Sequence, residues 1–228
     1  MSILIVVAHP DDEILGCGAT SALLAQAGTK VTACILCGQV EARVNRPDLS
    51  ELENDCRSAS ELLGLEPPIL GNFPNIALNR IQHLDLVRFI EDAIVATGAT
   101  VLFTHFPSDL NDDHYHVSRA CQAAARLPQR RPGLPVIREL LFMEVLSSTD
   151  WSFRGGPSFT PDTFVPLTEQ ALELKTEALA RYRGVMRPSP HPRRAEMLRS
   201  LALMRGAQAG SELAEAYMTA FRITTLGE

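Results

Sequence analysis

Ile3-Leu4-Ile5-Val6-Val7-Ala8-His9-Pro10-Asp11-Asp12-Glu13 decides the fold. Six consecutive apolar residues, most of them β-branched, read as a strand buried on both faces. Residues 12–28 follow with Leu15, Ala19, Ala22 and Leu23 on helical spacing, and they close at Gly28, which suits a helix end. A buried strand feeding straight into a helix is the first half of a βαβ unit.

The same alternation continues outward. Residues 30–37, 68–70, 100–104 and 138–145 read as further strands, and residues 49–64, 84–96 and 114–127 as helices. In the helix at 84–96, Leu84, Val87, Ile90, Ile94 and Val95 are expected to form the buried stripe. Short apolar strands separated by helices of this length predict an α/β fold. The expected form is Rossmann-like, a mostly parallel sheet with helices on both faces. Residues 164–167 read as an edge strand, and residues 168–182 and 193–204 as helices. Pro188, Pro190 and Pro192 keep the stretch between those helices from being helical. With no internal repeat and no linker, one domain over residues 1–228 is expected.

Composition narrows the function. The 228 residues are 46% hydrophobic and 21% charged, which excludes a disordered or fibrous chain. Lys and Arg number 21 against 27 Asp and Glu, and the densest basic clusters are Arg130-Arg131 and Arg193-Arg194. Nucleic acid is therefore not an expected partner, because phosphate contacts need a basic surface. The longest apolar run, residues 3–8, is far short of the roughly 20 residues of a membrane span. No Lys/Arg-led signal peptide is seen, so a cytoplasmic location is expected. The five cysteines lack framework spacing. Cys34 and Cys37 fall on a strand whose alternation sends them to opposite faces, so buried reduced thiols are expected.

Chemistry concentrates at two strand ends. After the first strand stand His9, Asp11, Asp12 and Glu13; after the fourth stand His105, Asp109, Asn111, Asp112, Asp113 and His114. One acid could serve as a helix cap, worth about 0.3–1 kcal/mol against the helix dipole. Three consecutive acids beside a histidine would repel one another unless a cation compensated them. Imidazoles with a carboxylate suit Zn²⁺, and the lack of cysteine in either segment speaks against a closed structural zinc site. A spare carboxylate is what a hydrolase needs to take a proton from water. In an α/β sheet both segments lie at the carboxyl ends of strands, where ligands bind. The other class weighed is a nucleotide-binding or non-catalytic sugar-binding Rossmann-like module. Gly16-Cys17-Gly18 hints at a phosphate loop, but Ser21 leaves G-x-G-x-x-G incomplete, and the acids would oppose a pyrophosphate.

Ala8-His9-Pro10-Asp11-Asp12-Glu13 after an N-terminal strand resembles the opening motif of the PIG-L/LmbE family, zinc-dependent deacetylases of N-acetylglucosamine-containing substrates. Asp113-His114 is similar to the family's second motif, and the resemblance continues through Glu41-Ala42-Arg43, Phe73-Pro74-Asn75 and Pro190-His191-Pro192-Arg193. It implies a Zn²⁺ cofactor held by His9, Asp12 and His114, with Asp11 as general base and Glu13 orienting the loop. It further implies that Arg43 contacts the sugar and that His191 stabilises the oxyanion or protonates the leaving amine, in some relatives from a neighbouring subunit. A homo-oligomer, trimer or hexamer, follows as an expectation. Asn111 stands where the family often has His, and Asn75-Ile76 where it often has Asp-Asn. Both asparagines are assigned to substrate binding, and both departures bear on which aminosugar is bound. The candidates are an N-acetylglucosamine conjugate, an aminosugar antibiotic, a thiol-cofactor precursor or a chito-oligosaccharide. His116, two residues from His114, should point away from the metal. His105 is either a partner of the ligands or a core histidine, and His83 should be exposed.

Overall fold

The computed structural model describes residues 1–38, 48–153 and 156–224. Five strands run parallel: β1 (Ser2–Val7), β2 (Lys30–Ile35), β3 (Ile69–Leu70), β4 (Val101–His105) and β5 (Glu139–Met143). Two more, β6 (Thr163–Pro166) and β7 (Ala214–Arg222), pair antiparallel beyond β5. Among the described residues they form one sheet of order β3-β2-β1-β4-β5-β7-β6. The mostly parallel α/β reading holds, and residues 163–166 do form an edge strand. The sequence pattern does not predict β7. Its stretch Ala-Glu-Ala-Tyr-Met-Thr-Ala-Phe-Arg mixes weak strand formers with the alternation, and a register shift at Leu140/Leu141 accompanies its pairing with β5.

The helices are α1 (Asp12–Gln26), α2 (Leu49–Leu62), α3 (His83–Thr97), α4 (Asp112–Ala124), α5 (Leu127–Arg130), α6 (Glu169–Arg181) and α7 (Ala195–Ala209). The alternation of β1 sorts them onto two faces. Ile3, Ile5 and Val7 pack with Leu15, Cys56 and Leu179 of α1, α2 and α6. Leu4, Val6 and Ala8 pack with Ile90 and Val117 of α3 and α4. Each such aliphatic side chain, buried to 2% exposure or less in β1, contributes about 1.5–3 kcal/mol. Covering both faces is what a continuous apolar strand requires. Cys34 and Cys37 pack in the same cluster, against the expectation of opposite faces, because β2 ends at Ile35 before its alternation reaches Cys37. All five cysteines are free and buried.

The chain lays β2 on one side of β1 and β4 on the other. The carboxyl ends of β1 and β4 therefore flank the point where strand order reverses, the crevice in which open α/β sheets bind ligands.

Helix α1 is broken at Cys17, whose φ of −148° is not helical. The break is filled from the far end of the chain. Lys175 Nζ donates to the freed carbonyl of Leu15 (2.8 Å), and the carboxylate of Glu215 accepts from the backbone of Ala19 (3.2 Å) and Thr20 (2.7 Å). Lys175 and Glu215 themselves pair at 2.6 Å. Gly16 lies against Met143, whose sulfur would collide with any Cβ there. The glycines thus serve helix packing and not a phosphate loop, which removes the one motif that favoured a nucleotide-binding module. No helix among the described residues is long and apolar enough to cross a membrane.

Candidate active site

The segment after β1 turns sharply. Asp11 occupies the N-cap position of α1 in the left-handed region (φ 104°), and its side chain makes no capping hydrogen bond. Such a conformation costs a non-glycine residue about 1–3 kcal/mol, which the surroundings must sustain. Glu13 accepts the Asp11 N–H (3.1 Å) and takes a short hydrogen bond from the Tyr182 hydroxyl after α6. Burial pushes the Glu13 carboxyl up to about 8, and the Tyr182 bond offsets only part of that. A loop-orienting role for Glu13 therefore has a visible physical basis.

This turn presents His9 and Asp12 to His114 in the first turn of α4. Asp12 Oδ2 lies 3.2 Å from His9 Nδ1 and 3.1 Å from His114 Nε2, and the two nitrogens are 3.3 Å apart. All three residues are buried, and their donor atoms lie within 4.8 Å of one another. Their distal nitrogens are also occupied: His9 Nε2 by Asp113 Oδ2 (3.0 Å) and His114 Nδ1 by Asp109 Oδ2 (3.2 Å). A carboxylate on the distal nitrogen fixes each ring's tautomer and aims the other nitrogen at the shared centre. Asp113 is held in turn by the N–H groups of Ile76 (2.6 Å) and Leu78 (3.0 Å), and Asp109 by Ser148 and Thr149.

Burial opposes the charged form of His9, but its bonds to Asp113 and Asp12 hold it well above its ordinary value. His114 likewise stands at about 9, burial being outweighed by the charge of Asp12 and the bond to Asp109. Asp12 is held well below the carboxylate range because the two imidazoles overcome its burial. The Asp12 Oδ1 atom is buried and has no hydrogen-bond partner. Two aimed imidazole nitrogens and a carboxylate with an unsatisfied oxygen fit a zinc-type cation.

His105 stacks on His114 at 3.7 Å and accepts the Ala8 N–H at Nε2 (2.8 Å). Burial first, then the neighbouring His114, drives it down to about 3, so it is a neutral core imidazole supporting the His114 ring. His116 faces Asp112 (3.4 Å), away from the cluster, and His83 is exposed, both as expected. Asn111 caps α4, its Oδ1 accepting the Asp113 N–H (3.0 Å), which commits that oxygen to the helix. Asn75 sits in the loop that docks on Asp113, and its Oδ1 is buried with no partner, an acceptor suited to a substrate hydroxyl. A cavity of about 160 Å³ beside Pro10, lined also by Gly38, Gly71 and Asn72, adjoins this loop. Arg43 lies outside the described residues. His191 is half-buried with its ring edge-on to Trp151 (5.8 Å), and it is linked to the centre through Arg193. The roles of Asp109, Tyr182 and Arg193 are not legible in the sequence, and Asp113 stands out there only as the neighbour of His114.

The orienting carboxylates give a test. Asp109→Asn is expected to retain the fold and weaken metal binding by roughly 10–100-fold, read by competition with a chelator. Unchanged affinity would mean that the His114 ring is held by packing alone.

Fold and site together define an α/β protein with a buried candidate metal centre at its switch point. Residues 4–125 match the family described as "PIG-L: GlcNAc-PI de-N-acetylase", and the chain belongs to that family. It is 27% identical over 187 residues to the uncharacterized deacetylase YaiS of Escherichia coli K12, covering 80% of this chain and 90% of that protein. Solved structures share the fold, two of them as follows. The N,N'-diacetylchitobiose deacetylase of Pyrococcus horikoshii has a TM-score of 0.74 at 17% identity, over 99% of this chain and 87% of that one. The 4-carboxy-2-hydroxymuconate hydratase GalB of Pseudomonas putida has a TM-score of 0.76 at 20% identity, over 100% and 99%.

Proposed function

We propose that this chain is a zinc-dependent N-deacetylase that cleaves the acetamide of an N-acetylglucosamine-type sugar or glycoconjugate, releasing acetate and a free amine. One observation carries the reading: a three-residue donor set with both imidazoles aimed by carboxylates, next to a separate buried carboxylate, Asp11, that is not part of the set. Family membership and the name of the Escherichia coli relative support the acetyl group as the one removed. His9, Asp12 and His114 would hold the metal. When bound, zinc supplies a Lewis acid for the amide carbonyl and makes water more acidic. Asp11 takes the proton of the attacking water as its oxygen bonds to the acyl carbon. That proton then goes to the nitrogen as the C–N bond breaks. In this reading His191 donates to the developing oxyanion or to the leaving amine. Asn75 and Arg43 hold sugar hydroxyls, and the amide nitrogen of Asn111, whose oxygen caps α4, is the part left to meet the substrate.

The test is acetate release from a panel with zinc present: N-acetylglucosamine, its inositol-phospholipid conjugate, diacetylchitobiose and an acylated aminosugar antibiotic. Release from at least one, abolished by chelation and restored by zinc, is the expected result. Acetate from none of them would sink the reading. The fold shared with the hydratase prompts one second reading, water addition to an unsaturated tricarboxylate, so such a triacid belongs in the panel.

A further inference from the structure

Asp11 must be buried, left-handed and correctly turned at once. Its backbone is pinned by Glu13, but that bond does not fix the torsion of the carboxylate. Arg193, just before α7, reaches the carboxylate: its Nη1 lies 3.0 Å from Asp11 Oδ2, and its Nε donates to Ser147 Oγ at 2.8 Å. A planar guanidinium tied at two places makes a rigid support that a lysine could not copy. The backbone of the same residue closes the loop carrying His191. The Arg193 N–H donates to His191 Nδ1 (3.1 Å), and its carbonyl accepts the Arg187 N–H (2.8 Å). Because Nδ1 accepts, the ring proton of a neutral His191 is on Nε2.

Resting on the deacetylase reading above, we propose that Arg193 is the positioning residue of the reaction. It holds the Asp11 carboxylate in its working orientation and docks the 187–193 loop so that His191 serves as an Nε2–H donor. Burial, with the charges of Arg193 and Arg187, lowers His191, which agrees with a neutral donor near pH 7. Arg193 falls outside the matched residues 4–125, so the assignment rests on contacts in this chain.

Arg193→Ala, Arg193→Lys and wild type are to be compared as zinc-loaded full chains. The alanine variant is expected to keep its metal content and melting temperature, to lose roughly 10–100-fold in kcat, and to change KM little, because misplacement of a group by about 1 Å has that scale of effect. Added guanidinium should restore part of the loss, and lysine less than guanidinium. Independently of any substrate, hydrogen exchange at the amides of Arg187, His191 and Arg193 should be faster in Arg193→Ala, on the order of tenfold. Unchanged exchange overturns the docking role, and kcat within twofold of wild type overturns the positioning role. Loss of kcat without guanidinium rescue overturns it equally. If wild type turns over no substrate in the panel, the deacetylase reading and with it the positioning role fail, while the exchange result still decides the docking role.

Discussion

Asp11→Asn is expected to retain the metal content of the wild type and to lose roughly 10²–10⁴-fold in kcat, the usual contribution of a general base. Asparagine is the right probe because it tolerates the left-handed backbone that φ 104° imposes, and it keeps the shape of the side chain while removing its basicity. The neighbouring carboxylate should behave oppositely. Asp12 Oδ2 stands 3.1–3.2 Å from both aimed imidazole nitrogens, so Asp12→Ala, like His9→Ala and His114→Ala, should lower metal occupancy. His116→Ala, paired with Asp112 outside the cluster, should leave it unchanged. Metal analysis beside steady-state kinetics separates the two acids. Equal metal loss in Asp11→Asn and Asp12→Asn would show that the assignment of base and ligand is wrong.

How far the sequence reveals this molecule depends on the range of the interaction that places each residue. The run at residues 3–8 and the helical spacings after it are local signals, and they suffice for the parallel core. His9, Asp12 and His114 are also legible, since residues at the ends of β1 and β4 are brought together by any doubly wound sheet. The carboxylates that aim those imidazoles are near them in sequence, yet their role emerges only when helix α4 and the loop at 73–78 are in place. The contacts that stabilise Asp11 are more distant still. Tyr182 meets Glu13 across 169 residues and Arg193 meets Asp11 across 182, and no periodicity encodes either pairing. Gly16 and Gly18 show the converse case, a glycine spacing left incomplete at Ser21 whose cause is packing. Their spacing suggests a phosphate loop, whereas Met143 and Lys175 simply leave no comfortable room for a side chain.

The break in α1 carries the largest expected effect on stability. Glu215→Ala would leave the Lys175 ammonium buried without its partner and strip two backbone N–H groups, those of Ala19 and Thr20, of their acceptor. Removing one partner of a buried ion pair typically costs about 3–5 kcal/mol, because the remaining charge is stranded in a medium of low polarity. At about 2–4 °C per kcal/mol for a chain of this size, that is a fall in Tm of roughly 6–20 °C. Lys175→Met should cost less, since methionine fills the space and the stranded carboxylate still accepts from Ala19, Thr20 and Tyr217. The double variant Lys175→Met/Glu215→Gln should be more stable than the two single losses predict when added, as residues in contact are coupled by about 0.5–3 kcal/mol. Urea unfolding of wild type, Lys175→Met, Glu215→Gln and the double variant measures this directly. Simple additivity would mean that the pair is solvated, and that the break at Cys17 is held by Gly16 packing on Met143 instead. Because α1 begins at Asp12, an unstable break should also loosen the metal: occupancy in Glu215→Ala is expected to fall as temperature approaches its lowered Tm, in parallel with unfolding and not before it.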